Sequence, residues 1–150
     1  MIYSVTQSTN GALYLCSTSN SMTHPNIFKP NIIKIDLSGN IEWKRSFNAN
    51  GNTNHQFKAI STIAGEIVII GTSYQQFSTG IKTDAFLTKI DQSGNILWTY
   101  PYGSSDHDDW GWSAFETPKN SIVFIGSTKS FGASLFDIYL VGTNAEGILY

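Results

Sequence analysis

Charged residues and cysteine are both scarce in this chain of 150 residues. Only 13% of the residues are Asp, Glu, Lys or Arg, the net charge is −2, and Lys and Arg form no run. Proteins that bind nucleic acids or anionic membranes need a basic patch, so neither partner is expected. The single cysteine, Cys16, has no partner for an intramolecular disulfide, so cysteine content does not indicate a redox compartment.

Long apolar runs and helical patterns are also missing. No run approaches the roughly 18 apolar residues that cross a bilayer, so membrane insertion is not expected. The first residues, MIYSVTQSTNG, lack the basic and apolar segments of a secretory signal. Either the protein is cytoplasmic, or Met1 is not its natural start. No segment of ten or more residues spaces its apolar groups as a helix would, which predicts an all-β chain.

The residues that are present form a repeat. Residues 35–43 (IDLSGNIEW) recur as residues 90–98 (IDQSGNILW), about 55 positions later, with seven of nine identical. Residues 143–150 (TNAEGILY) are a third, weaker copy of this motif. We align it on the assumption that its Asn is lost and that Tyr replaces Trp. A second motif recurs in step with the first, at residues 13–19, 67–73 and 122–128. We therefore predict one repeat domain over 1–150, with repeats 1–55, 56–110 and 111–150, the last strand being incomplete.

The middle repeat predicts four strands separated by turns. These strands are expected at residues 57–62, 66–73, 84–91 and 96–102. The second is almost continuously apolar, as in a strand buried on both faces. In the turn QSGN, Gly94 supplies a positive φ without steric cost. Four short antiparallel strands in each repeat are typical of a β-propeller blade.

The sequence of residues 84–98, DAFLTKIDQSGNILW, resembles a β-propeller repeat of bacterial secreted or cell-surface proteins. Residues 126–128 (GST) and 137–140 (DIYL) carry the resemblance into the third repeat. The first repeat departs from it, because Ser17 replaces the Gly and Lys29 replaces the Asp. The resemblance implies an extracellular or cell-surface protein that binds or scaffolds a protein or glycan ligand. It implies neither catalytic residues nor cofactors.

Three blades are fewer than the four to eight of a closed propeller. An open stack of three leaves two ends exposed. We therefore expect a partial propeller, completed either by further repeats or by association into a homo-oligomer, for example two chains giving six blades. The alternative is a β-trefoil, which also has three four-stranded repeats and fits 150 residues, although its repeat is usually shorter.

The loop at residues 104–111, SSDHDDWG, has the densest group of functional side chains. The candidate ligand-binding residues are Asp106, His107, Asp108, Asp109 and Trp110. A calcium loop that begins at Asp106 needs oxygen ligands at its fifth and twelfth positions, where Trp110 and Thr117 stand, so no metal is predicted. The acidic residues are expected to form a solvated turn, and Trp110 to pack on its neighbours. The alternative is a glycan site, in which the aromatic ring stacks on a sugar while the acids bind its hydroxyls.

Recurrence at the repeat period predicts structural roles for other residues. Trp43 and Trp98 occupy equivalent positions and are expected to pack between sheets. Trp112 aligns with Phe57 and is predicted to be a core residue, and Cys16 to be a small buried hydrophobe. Asp84 and Asp137 are each expected to begin a third strand and to accept N–H bonds from the preceding turn.

No catalytic motif is present. The histidines His24, His55 and His107 lack metal-ligand spacing, and the chain has neither a phosphate loop nor a nucleophile elbow. Asp108 and Asp109 are adjacent, so they could cooperate only within a turn. The sequence favours a non-catalytic binding or scaffold module. The alternative is a lectin-like domain or a carbohydrate-active enzyme, which would need a carboxylate pair from two repeats with one raised pKa.

Overall fold

The fold consists of β-strands, turns and loops. A computed structural model describes residues 1–20, 28–47, 54–77, 80–104, 106–132 and 135–150. Across the described part of the chain, eleven antiparallel strands form three sheets of four, four and three strands, which confirms the all-β prediction. In these ranges no helix has the length and apolar character needed to span a bilayer.

Each sheet is a meander in which strands that follow one another in sequence lie side by side. Sheet 1 contains β1 (Ile2–Gln7), β2 (Leu13–Asn20), β3 (Phe28–Ile35) and β4 (Ile41–Ser46). Sheet 2 contains β5 (Asn54–Ser61), β6 (Ile67–Phe77), β7 (Gly80–Ile90) and β8 (Ile96–Tyr102). Sheet 3 contains β9 (Asp109–Glu116), β10 (Ile122–Thr128) and β11 (Asp137–Thr143), followed by a single bridge between Thr143 and Leu149.

Sheet 2 allows a direct comparison with the four predicted strands. The strand predicted at residues 96–102 is β8. The hairpin of β6 and β7 is longer than predicted, because their pairing continues without a break from Ile67 opposite Ile90 to Phe77 opposite Gly80. The added part of the hairpin contains the polar residues 75–76 and 82–83. Backbone pairing needs no apolar side chain, so the hydrophobic pattern stopped short of the true strand ends.

The turn before the last strand has the same hydrogen bonds in sheets 1 and 2. Asp91 Oδ1 accepts from the N–H groups of Ser93 (2.9 Å) and Asn95 (2.8 Å), and Asn95 Nδ2 donates to Asp91 Oδ2 (2.8 Å). Asp36 makes the corresponding bonds in sheet 1. The bonds from Asn95 hold the pKa of Asp91 below its usual value. Gly94 has a φ of 83°, as this turn requires.

The same turn in sheet 3 corrects the expected alignment of the third copy. The N–H of Asn144 donates to the carbonyl of Ile148 (2.9 Å), just as that of Asp91 donates to Asn95 (2.9 Å). Ile148 therefore takes the place of the Asn, which is replaced rather than deleted. Tyr150 then stands where sheet 2 has Leu97, and it is not the equivalent of the tryptophan.

The three sheets stack face to face in chain order. The first strand of each sheet packs on the sheet before it, since β5 contacts β1, β2 and β3, and β9 contacts β5, β6 and β7. The first apolar layer, between sheets 1 and 2, contains Ala12, Tyr14, Cys16, Ile32, Phe47, Ala59, Ile67, Ile69 and Ile90. The second apolar layer, between sheets 2 and 3, contains Val68, Ile70, Ala85, Leu87, Tyr102, Ala114, Ile122, Phe124 and Val141.

The strand β6 lies at the centre of this stack. Ile67 and Ile69 enter the first apolar layer, and Val68 and Ile70 enter the second. All four side chains are fully buried, as the continuous apolar run predicts. Each buried isoleucine contributes about 1.5–3 kcal/mol relative to an exposed one. Cys16 is also buried in the first layer, which confirms its predicted role as a small hydrophobe.

Each tryptophan of a fourth strand packs on the turn of the next sheet. A Cβ added at Gly94 would lie 3.0 Å from Trp43 Cη2, and Trp43 Nε1 donates to the carbonyl of Gln92 (3.2 Å). A Cβ added at Gly147 would lie 2.9 Å from Trp98 Cζ3. The predicted packing of Trp43 and Trp98 between sheets is therefore confirmed.

The first strand of every sheet has a β-bulge at the same place. The cross-strand register shifts at one residue in each of the three ladders, namely at Tyr3, Phe57 and Trp112. A bulge interrupts the alternation of side chains between the two faces of a sheet. Trp112 is consequently 41% exposed, so the prediction that it is a core residue is wrong.

Candidate functional site

The loop between β8 and β9 places its functional side chains in different environments. Asp106 and His107 are exposed, and Asp108 is half-buried. Asp109, the first residue of β9, is fully buried, while Trp110 is half-buried. The structure thus divides the five candidate residues between the surface and the junction of sheets 2 and 3.

Asp109 joins this loop to the end of β10. Its Oδ2 accepts hydrogen bonds from the N–H of Ser104 (3.0 Å) and the hydroxyl of Ser130 (2.6 Å), while Oδ1 accepts from the hydroxyl of Thr128. Buried carboxylates need such donors, because burial of an unpaired charge costs several kcal/mol. Three internal donors therefore satisfy Asp109 away from solvent.

Asp108 and Trp110 are both held by Thr83 of β7. Asp108 Oδ1 accepts from the N–H and the hydroxyl of Thr83 (both 3.2 Å). The same hydroxyl oxygen accepts from Trp110 Nε1 (2.7 Å). On its other side, Asp108 Oδ2 lies 3.5 Å from the ammonium of Lys129. These contacts fix the start of β9 to sheet 2.

Three aromatic rings, Trp110, Trp112 and Phe136, form a patch beside this loop. The Trp110 ring lies 5.3 Å from that of Trp112 and 5.6 Å from that of Phe136, measured between centroids. Trp112 and Phe136 are exposed, and the Lys129 ammonium lies 4.4 Å from the Phe136 centroid. We call these three rings the aromatic patch. It presents flat apolar surface next to charged groups.

The sequence reasoning missed two members of the aromatic patch. The exposure of Trp112 follows from the bulge, which the recurrence of an aromatic residue at Tyr3, Phe57 and Trp112 could have suggested. Phe136 has no such signal, since its equivalent in sheet 2 is Thr83. Phe136 directly precedes Asp137, which pairs with Thr128, and Trp110 pairs with Ser127, so the pairing of β9 and β11 with β10 brings the two rings together.

A buried carboxylate from each of two sheets meets beneath Gly103. A Cβ at Gly103 would collide with Asp84 Oδ1 and would lie 2.6 Å from Asp109 Oδ2. Burial, followed by the negative charges of Asp109 and Asp108, raises the pKa of Asp84 to about 6. Burial and the charges of Asp109 and Asp84 likewise raise the pKa of Tyr139 to about 12.

The two aspartates predicted to begin a third strand differ in position. Asp84 lies within β7, four residues after that strand begins at Gly80, and it is buried. The expectation that Asp84 begins the strand is therefore wrong, because the β6–β7 hairpin extends past it. Asp137 does begin β11, is exposed, and accepts a bond from the N–H of Ile138 (2.7 Å).

The described part of the chain contains no group of three or more His, Cys, Asp or Glu side chains placed to hold a metal ion. His24 lies outside the described residues, and His55 lies in β5. A surface cavity of about 380 Å³ lies on sheet 3. Thr128 and Ser130, which hold Asp109, form one wall of it, and Ile138 and Leu140 contribute apolar surface.

No protein-family model matches the chain, and no curated protein is detectably similar to it in sequence. The similarity of residues 84–98 to a propeller repeat therefore stays a prediction. The contacts and burial of the described residues are what remain to indicate a function. They distinguish a buried acidic junction from an exposed aromatic patch.

Proposed function

We propose that this chain is a non-catalytic binding or scaffold module made of three consecutive propeller-type blades. The observation that carries the proposal is the stacking of three meander sheets in chain order, each with its first strand on the sheet before. Blades of a propeller bury their faces against their neighbours in this manner. The resemblance of residues 84–98 supports a secreted or cell-surface location.

The pairing of strands supports blades over the β-trefoil. In a trefoil, strands from different repeats hydrogen-bond to one another in a shared barrel. Among the described residues, every β-ladder joins two strands of the same sheet. Contacts between sheets are instead made by side chains, as in the two apolar layers.

The aromatic patch is the ligand-binding surface that we propose. Trp112 and Phe136 offer exposed ring faces, and Lys129 and Asp108 place a cation and a carboxylate beside them. A ring face can stack on the apolar face of a sugar or on a side chain of a protein partner, while the charged groups bind hydroxyls or amides. Asp106 and His107 lie on the exposed part of the adjoining loop.

The proposed binding is tested with a glycan array and a protein pull-down. Trp112→Ala removes an exposed ring and should abolish binding without unfolding the protein. Phe131→Ala is the control, because Phe131 is an exposed aromatic outside the patch and its loss should leave binding intact. Absence of any ligand for the folded protein would contradict the proposal.

A carbohydrate-active enzyme is the second candidate, favoured by the Asp84–Asp109 pair from two sheets. One member has a raised pKa, as an acid catalyst requires. The burial of both residues and the three donors on Asp109 weigh against it, because the carboxylates of a glycosidase must reach the substrate. Release of reducing sugar by the wild type, but not by Asp84→Asn, would favour the enzyme. A folded protein without hydrolytic activity on a polysaccharide panel would exclude that pair as catalytic.

A further inference from the structure

The outward side of sheet 3 is apolar and uncovered. We call it the sheet 3 outer face, and it consists of Phe115, Val123, Ile125, Ile138 and Leu140. Ile138 is 81% exposed and Leu140 is 67% exposed. Their equivalents in sheet 2 are Ala85 and Leu87, which are fully buried against sheet 3. The other equivalents also pack in the second apolar layer, namely Ile60, Val68 and Ile70.

The outward side of sheet 1 forms the complementary half of such a layer. We call it the sheet 1 outer face, and it consists of Val5, Leu13, Leu15 and Ile35. Their equivalents in sheet 2 are Ala59, Ile67, Ile69 and Ile90, which pack against sheet 1 in the first apolar layer. Val5 is 60% exposed, whereas Ala59 is 1% exposed. In sheets 2 and 3 these positions pack against the sheet before them. In sheet 1 no described sheet of the same chain covers them.

A turn glycine gives independent evidence that sheet 1 lacks a preceding neighbour. Gly94 and Gly147 lie under Trp43 and Trp98 of the sheets before them. A Cβ at Gly39, the equivalent glycine of sheet 1, would meet nothing within 4 Å. The contact between a tryptophan and the turn glycine of the next sheet therefore occurs twice inside the chain, and Gly39 of sheet 1 makes no corresponding contact.

We propose that the sheet 3 outer face of one chain packs against the sheet 1 outer face of a second copy of this chain. This inference rests on the proposed blade arrangement. A second copy is the occupant because every chain carries both halves of the layer that it already forms twice within itself. Two such contacts close a ring of six sheets, which lies within the four to eight of closed propellers. A contact between two different faces closes in this way only when the rotation between copies permits it.

The solution mass tests this pairing. The wild-type chain should have twice the 16.5 kDa of the monomer in analytical ultracentrifugation, over a range of concentrations. Ile138→Glu and Val5→Lys should each give monomers, because both place a charge in the contact. Neither side chain is buried within one chain, so both variants should keep the wild-type circular dichroism spectrum. Leu97→Glu is the matched control, since Leu97 is half-exposed in β8 and its equivalent is Glu42; this variant should stay dimeric.

Mixing the two monomeric variants tests the direction of the contact. Ile138→Glu and Val5→Lys chains should pair with each other, because one of their two contacts is fully wild-type and the other joins opposite charges. Three results would contradict the head-to-tail pair. The wild type could be a monomer, it could be a polymer of variable mass, or Ile138→Glu could give a monomer while Val5→Lys stays dimeric. Ligand binding through Trp112 in a monomeric protein would leave the binding proposal standing, so the two failures are distinguishable.

Discussion

The indole of Trp43 lies directly over Gly94, the turn glycine of the next sheet. This contact joins the last strand of sheet 1 to the last turn of sheet 2. Trp98 and Gly147 repeat it one sheet further on. Because a Cβ at Gly94 would lie 3.0 Å from Trp43 Cη2 and 2.9 Å from Arg45 Cγ, the turn can approach the indole only with glycine.

Gly94→Ala should therefore lower the free energy of unfolding more than Gly39→Ala does. Both glycines have a similar positive φ, 83° and 87°, so both variants lose about 1–2 kcal/mol from backbone strain. Only Gly94 also lies against a neighbouring sheet. Urea unfolding in the Ile138→Glu background measures the difference without a second copy over Gly39. Equal losses in the two variants would show that the tryptophan does not restrain the turn.

Asp84→Asn should increase stability near neutral pH. The folded protein binds the Asp84 proton more tightly than the unfolded chain, because the pKa is raised to about 6 from about 3.9. Its stabilising contribution is therefore complete below about pH 4 and is lost as the pH rises through about 6. The Asn variant does not lose this stability as the pH rises. The excess of its free energy of unfolding over that of the wild type should therefore grow between pH 4 and pH 7.

Asp137→Asn is the control for that experiment. Asp137 has the equivalent place in sheet 3 but is exposed. Its replacement removes a carboxylate from the equivalent position without removing a buried one. Urea midpoints at several pH values compare the three proteins, and a constant difference for Asp84→Asn would refute the raised pKa.

Cys16 should be unreactive in the folded protein. It is fully buried in the first apolar layer, and burial raises the pKa of its thiol to about 12. Thiolate is the reactive form, so both access and ionisation oppose modification. Alkylation by iodoacetamide at pH 8 should be slow until the chain is unfolded in guanidinium. Leu135→Cys, at an exposed position, provides a rapidly reacting reference, and equally fast labelling of Cys16 would contradict its burial.

The parts of the fold that the sequence predicted are those encoded by neighbouring residues. The strand at 96–102 was found because the turn QSGN precedes it, and that turn is held by Asp91 and Asn95 within a few positions of each other. The packing of Trp43 and Trp98 was predicted because both tryptophans occupy the same position of the repeated motif. Local chemistry and repetition are both visible in a single sequence.

The parts that the sequence did not predict depend on contacts between sheets. Asp109 is buried because Ser104, Thr128 and Ser130 surround it, and the two residues of β10 and its loop lie about 20 positions away. The approach of Asp84 to Asp109 follows only from the stacking of sheets 2 and 3. The exposure of Trp112 required the bulge, which a strict period of two cannot represent.

Thr83→Val should weaken the junction of sheets 2 and 3. Valine keeps the shape of threonine but removes the hydroxyl that donates to Asp108 and accepts from Trp110 Nε1. Loss of a partner for a partly buried polar group costs about 1–3 kcal/mol. We expect a lower urea midpoint and a shift in tryptophan fluorescence, since the Trp110 indole loses its acceptor. Thr83→Ser, which keeps the hydroxyl, should restore both readouts to near the wild-type values. A valine variant with the wild-type urea midpoint, together with a serine variant that lowers it, would show that the methyl group rather than the hydrogen bonds holds the junction.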